Sequence, residues 1–308
     1  MTGVLLIEMG GANSPKELKL FLSRMFKDPF ILPFGKLGRT VFSFIISNTR
    51  YKKSWKKYEL IGGSPIIDST NKMMQALQHK LGDSYKVKMA FSYSSPLIEN
   101  SLTSFLEEGI EDVTVIPLYP QASYTTTYSA KYTVNSFAKR NKIIKIDFVQ
   151  EFYKHKDFIS FWSNLIFNHI KDHNLSNPFL IFSAHSIPLK LIETGDKYAE
   201  AIQGSASLIA EAIHLDYKVS YQSKMKGKWV GPDTKDCLKI LSSDIRDRDI
   251  VLIPISFVNE NLETLYDLDL DIIPFARNEQ HIKSVSRVRI PVADNRFINL
   301  LKEIVESK

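Results

Sequence analysis

One histidine stands where a sheet enzyme would put its chemistry. In PFLIFSAHSIPLK, residues 178–190, an apolar run from Phe179 to Ser183 reads as a buried strand, and His185 follows two positions later. Ser-Ile-Pro then breaks the chain. A second chemical cluster is SFVNENLETLYDLDLD, residues 256–271, where Glu260 and Glu263 are three apart and share one face of a first helical turn. One imidazole with one or two carboxylates makes an N/O set suited to a divalent cation, or a base with a proton relay. The plainer readings are a histidine in a turn and acids that favour a helix N-terminus. In YPQASYTTTYS, residues 119–129, every side chain from Ser123 to Ser129 carries a hydroxyl, which suggests a polar pocket wall as well as helix caps. Met9, Tyr93, Tyr124, Trp229 and Phe257 recur in loops of the same kind. Each alone suits a core, and together they would line a broad, flat apolar cleft.

These residues need a frame. Apolar strand candidates fall at residues 4–8, 86–93, 113–118, 143–149, 179–183, 218–222, 250–255 and 288–292. Amphipathic helical stretches fall between them at 15–26, 69–81, 97–109, 128–140, 156–173, 198–213, 234–242 and 294–306. Continuous apolar strands alternating with helices predict parallel sheets covered on both faces, a doubly wound α/β fold. Two echoes divide the chain. VLLIEMGGANSP resembles FLIFSAHSIP, and VTVIPLYPQ resembles IVLIPISFV. The expectation is two similar domains, each with a four-stranded parallel sheet, at residues 1–150 and 151–293. Helix 294–308 is expected to pack back on the first, and His185 and Glu263 belong to the second. Ligands in such folds bind at the carboxyl ends of strands, where these loops lie.

Composition removes several classes. The chain has 308 residues, 44% of them hydrophobic and 24% charged, and a net charge of +6. Gly10-Gly11 lacks the dinucleotide fingerprint, and no phosphate-loop pattern occurs. Ser183 stands outside a G-x-S-x-G elbow. The single cysteine, Cys237, excludes disulfide frameworks and cysteine-ligated zinc or iron–sulfur sites and suits a reducing, cytoplasmic setting. MTGVLLIEMGG lacks a basic region before its apolar run and does not read as a signal peptide. No 18-residue apolar run is present. The apolar stretch 30–47 reads as a lip over a cleft or a membrane-touching surface, with an ordinary buried helix and loop as the plainer alternative. Residues 49–58, TRYKKSWKKY, hold five cations. They suit a solvated helix face or an anion-facing surface, and no nucleic-acid motif accompanies them.

An ordered series of motifs resembles the ferrochelatase family and covers nearly the whole chain. It comprises EMGG before Ser14-Pro15, IGGSPI (61–66), LYPQ with Thr125 to Thr127, FSAHSIP with Gly195-Asp196, YQSK with WVGPDT, and FVNENLETLYDLD. The resemblance implies two similar Rossmann-like domains, in agreement with the echoes, and an enzyme that inserts Fe²⁺ into a porphyrin, giving protohaem from protoporphyrin IX with release of two protons. It implies His185 and Glu263 as catalytic and metal-contacting residues, with Glu260 as a further candidate metal ligand. It implies a porphyrin site involving Met9, Arg50, Tyr93, Ser123, Tyr124, Trp229, Phe257 and Asn261, with Arg50 toward a propionate. Iron and porphyrin are then substrates, and no permanently bound cofactor or iron–sulfur cluster is expected. The cytoplasm, with peripheral membrane attachment, is the expected location, and the sequence fixes no oligomeric state. Four positions depart from the family pattern: Ser92 where many members carry arginine, Glu260 in place of aspartate, Asn261 where some have histidine, and Ala122 within PQAS. Met9 favours protoporphyrin IX over coproporphyrin III. Another tetrapyrrole chelatase and a non-catalytic tetrapyrrole-binding protein are the competing readings.

Overall fold

Val4 to Ile7 and Leu180 to Phe182 expose none of their surface. Strands with no wet face need cover on both sides, which a parallel sheet between helices supplies. The computed structural model shows this arrangement twice and describes residues 1–141, 145–224, 227–241, 247–278, 280, 282 and 284–308. In chain order the elements are β1 (Thr2–Glu8), α1 (Pro15–Met25), α2 (Lys36–Thr49), α3 (Tyr51–Leu60), α4 (Ile66–Leu81), β2 (Tyr85–Phe91), α5 (Ile98–Glu107), β3 (Asp112–Pro117), a π-helical turn (Tyr124–Tyr128), α6 (Ser129–Asn141), β4 (Lys145–Phe148), α7 (Lys156–Asp172), β5 (Pro178–His185), α8 (Leu189–Glu193), α9 (Tyr198–Ile213), β6 (Tyr217–Gln222), α10 (Thr234–Leu241), β7 (Asp249–Ile253), a π-helix (Glu263–Ile272), α11 (Ile273–Asn278), β8 (Ser284–Arg287) and α12 (Asn295–Glu306).

The chain forms two compact units. The first holds Met1–Glu151 with Val292–Lys308, and the second holds Phe152–Pro291. The strand order in the first is β2-β1-β3-β4, and in the second β6-β5-β7-β8, all parallel. In the first unit Leu5, Ile7, Leu102, Phe105, Val113 and Val134 form the core on one side of the sheet. In the second, Ile181, Ile250, Leu252, Leu268 and Ile272 do the same. In each sheet the order in which strands are added reverses between the first and third strands of the unit. That reversal leaves a crevice at the carboxyl ends of β1 and β3, and of β5 and β7.

The last predicted strand is displaced. Residues 288–292 are apolar, but the strand lies at Ser284–Arg287, in register from Asp249↔Ser284 to Leu252↔Arg287. Val288 N–H makes one further bond, to Leu252 O at 3.0 Å. The next bond stops there, because Ile290 N–H donates to the Glu260 carboxylate and Pro291 has no N–H to give. Val288 and Ile290 are therefore buried as packing residues without a ladder. Within residues 256–271 the helix begins only at Leu262, so the helical turn expected to carry both Glu260 and Glu263 holds Glu263 alone. Ile143 and Ile144, which begin the fourth predicted strand, lie outside the described residues, as do Ser242 and, in the 222–232 loop, Met225 and Lys226.

The stretch 30–47 contains α2, and this helix is amphipathic in the inverse sense. Ser43 and Ser47 are buried at 0% and 2% exposure, while Leu37, Val41, Phe44 and Ile45 are 51–79% exposed. The serine hydroxyls donate to the carbonyls of Thr40 and Phe44, so their polarity is satisfied within the helix and their small size allows close packing.

Candidate active site at the strand ends

In the second unit, His185 is the last residue of β5 and is half-buried. Its backbone is held at both polar groups. The N–H donates to Ser256 Oγ at 3.3 Å, and the carbonyl accepts from Tyr198 OH at 3.0 Å. Burial pushes the Tyr198 phenol well above its ordinary value, so it stays a protonated donor. Ser256 follows β7, so this bond ties the histidine to the neighbouring strand across the sheet's switch point. The ring is oriented too. Nδ1 lies 2.6 Å from the Ser186 carbonyl. A carbonyl only accepts, which places a proton on Nδ1, so in the neutral ring the lone pair is on Nε2.

Behind the histidine, a buried hydroxyl network fixes the strand end. Ser183 Oγ donates to Gln222 Oε1 at 2.9 Å, and Thr234 Oγ1 lies 3.0 Å from both Ser183 Oγ and Ser220 Oγ. Ahead of it, Val230 N–H donates to Ile187 O, Leu189 N–H donates to Lys228 O, and Pro188 bridges to Trp229. Trp229 is thereby set beside the histidine's own loop. Asp196, just ahead of α9, accepts from Tyr198 N–H at 2.9 Å, which places the tyrosine that holds His185.

The acidic residues separate in role. Glu263 is the first residue of the π-helix and is half-buried. Glu260 lies before the helix begins, so the two do not share a helical face. Both Glu260 oxygens are engaged by the protein. Oε1 accepts from Arg287 Nη1 at 2.9 Å and Ile290 N–H at 3.0 Å, and Oε2 accepts from Thr264 Oγ1 at 2.5 Å. The longer acid at this position reaches Arg287 and ties down the segment after β8. Asn261 is 5% exposed and trades hydrogen bonds with Thr264, each side chain accepting from the other's N–H at 2.9 Å. It caps the helix that starts with Glu263. Phe257, half-buried, sits next to Ser256 in the same segment.

The first unit shows a different chemistry at its own strand ends. Met9 and Tyr124 are half-buried there, and Arg50 is exposed at the junction of α2 and α3. Tyr93 is 3% exposed and packs edge-on against Phe21, with its hydroxyl donating to Asp28 at 2.7 Å. It offers a ligand little surface. Burial, then the Asp28 charge, pushes its phenol well up; burial and Glu8 do the same for Tyr119. Ser123 caps the π-turn, accepting from Thr125 N–H at 3.3 Å, and is 1% exposed. Thr127 is buried, and Ser129 donates to Asp28. Much of the hydroxyl run is therefore turned inward. A cavity of about 220 Å³ lies between Asp28, Ser92, Tyr93, Glu99 and Ser129, small against the space a macrocycle needs. Asp28 and Arg287 both organise their surroundings, and no motif or periodicity marked either.

A chain with this site matches the ferrochelatase family model over residues 1–308. A ferrochelatase of Aquifex aeolicus is 37% identical over 99% of this chain and 99% of its own length. One of Rickettsia bellii is 34% identical over 87% of this chain and 76% of its own. Among solved structures, SirB from Bacillus subtilis with Fe³⁺ matches at a TM-score of 0.61 and 12% identity, covering 98% of this chain and 94% of its own. The sirohydrochlorin chelatase SirB from Bacillus subtilis subspecies spizizenii in complex with cobalt matches at 0.59 and 11%, covering 99% and 95%. At that identity the structural likeness shows the fold.

Proposed function

The chain belongs to the ferrochelatase family, and from that premise we propose that it inserts Fe²⁺ into protoporphyrin IX, giving protohaem and two protons. The observation that carries the reading is His185, held at a strand end with its Nε2 lone pair turned away from the protein's own hydrogen bonds. Metallation must remove two N–H protons from the macrocycle, and a neutral imidazole accepts a proton at physiological pH. Glu263, at the head of the π-helix, relays that proton or hands over Fe²⁺, which takes N and O ligands. Iron is a substrate here, and the enzyme is proposed to hold no resident cofactor or iron–sulfur cluster. A flat porphyrin shields its nitrogens, so the site has to bind it distorted, and contact with the macrocycle's large face can supply that strain. Trp229 and Phe257 are the proposed contacts in the second unit. Met9, Tyr124 and, through the π-turn it caps, Ser123 are those in the first, with Arg50 toward a propionate.

The inverted helix α2 supports a further part of the reading, a peripheral contact with the bilayer from the cytoplasmic side. Its exposed Leu37, Val41, Phe44 and Ile45 stand beside α3, whose Lys52, Lys53 and Lys56 are exposed. Anaerobic Fe²⁺ insertion, measured with protoporphyrin IX beside coproporphyrin III, tests the substrate. Faster turnover of protoporphyrin IX is expected. Preference for coproporphyrin III would redirect the substrate, and porphyrin binding with no insertion of iron would leave a carrier.

A further inference from the structure

Arg287 is among the most deeply buried cations described. Its side chain is 1% exposed, on the edge strand β8. It forks onto Asp269, Nε to Oδ1 at 2.7 Å and Nη2 to Oδ2 at 2.8 Å. Its remaining nitrogen, Nη1, donates to Glu260 Oε1 at 2.9 Å and to Val288 O at 3.2 Å. Every guanidinium nitrogen is used. Burial opposes the charge, but Asp269 and Glu260 more than offset it and hold the group firmly protonated. Arg289 Nη1 donates at 2.7 Å to the same Asp269 Oδ2 that accepts from Arg287 Nη2, so two cations meet two carboxylates.

The partners matter by where they lie. Glu260 precedes the π-helix, and Asp269 is six residues beyond Glu263 within it. One arginine therefore holds the helix on both sides of Glu263 and anchors it to β8. A π-helix, closed by i→i+5 bonds, is rare and has looser packing than an α-helix, so its winding needs outside support. A bidentate fork fixes direction as well as distance, which a lysine cannot do.

We propose that Arg287 is a positioning residue for metal insertion: by clamping Glu260 and Asp269 it fixes the rotation of the π-helix and so the direction of the Glu263 carboxylate. This rests on the reading of Glu263 as the partner of His185. The test is a double-mutant cycle on Fe²⁺ insertion, with R287K alone, E263D alone and both together. R287K keeps the charge and loses the fork. The expected result is a fall of about tenfold in kcat with the KM for porphyrin within twofold, as for a displaced catalytic group. In the E263D background, where the carboxylate is already withdrawn, the same change is expected to cost less than about twofold. D269N, which keeps the shape of its side chain, repeats the cycle should R287K not fold, with porphyrin fluorescence quenching as the check on folding. An R287K enzyme with kcat within twofold of the wild type, or an equal loss in both backgrounds, overturns the proposal. Full activity in E263D and E263Q would instead sink the role of Glu263 itself.

Discussion

The two units share a strand order, and each follows its third strand with a π-helical segment, yet they hold different chemistry at the same places. After the first strand, one unit has Met9-Gly10-Gly11 and the other Ser186-Ile187-Pro188 behind His185. After the third strand, one carries hydroxyls from Ser123 to Ser129, and the other carries Glu263, Asp267, Asp269 and Asp271. The first unit spends its polar groups on itself, through Asp28 with Tyr93 and Ser129. The second leaves an oriented imidazole. A repeated frame thus carries two chemistries at equivalent strand ends, and on the proposed function the proton and metal chemistry belongs to the second copy, which shares porphyrin contact with the first.

If that division holds, substitutions should fall into two kinds. The larger effect belongs to the second unit: Glu263→Gln is expected to lower kcat for Fe²⁺ insertion about 100-fold with little change in folding, checked by steady-state kinetics and thermal unfolding. In the first unit the matching change should act on stability. Gly10 has φ +93°, and an added Cβ would meet Ser94 Oγ at 2.5 Å. Gly10→Ala is expected to destabilise by about 2 kcal/mol or more in urea unfolding, since left-handed strain and overlap add. A third effect concerns pH. Burial, followed by the neighbouring His173, lowers the pKa of His169 to about 4 from its ordinary 6.5. The unfolded chain then binds a proton the folded one refuses between those values, so stability falls as pH drops from about 6.5 to 4. Replacing His169 by Gln should flatten that part of the profile, the Ser286 contact at 2.8 Å aside.

Much of the frame was legible because parallel strands are apolar on both faces. Val4 to Ile7 and Leu180 to Phe182 announced β1 and β5, and α9 was read to the residue at 198–213. The misplaced last strand shows the limit: hydrophobicity predicts burial, which Val288 and Ile290 have, but not which N–H groups join a ladder. The acids of residues 256–271 suggest a helical turn, but its π-winding was hidden, because Glu260 and Asp269, on either side of Glu263, meet at Arg287, distant in sequence. His185 and Glu263 were marked by the motif series. Tyr93 reads from sequence as a cleft wall, but its ring and hydroxyl are taken up by Phe21 and Asp28, which no local pattern announces.

The most direct test of the division is His185→Ala, with porphyrin affinity and Fe²⁺ insertion measured on the same preparation. The expected result is a loss in kcat of about 100-fold or more, the scale of a missing general base, with porphyrin affinity within a few-fold of the wild type. Undiminished turnover would contradict it.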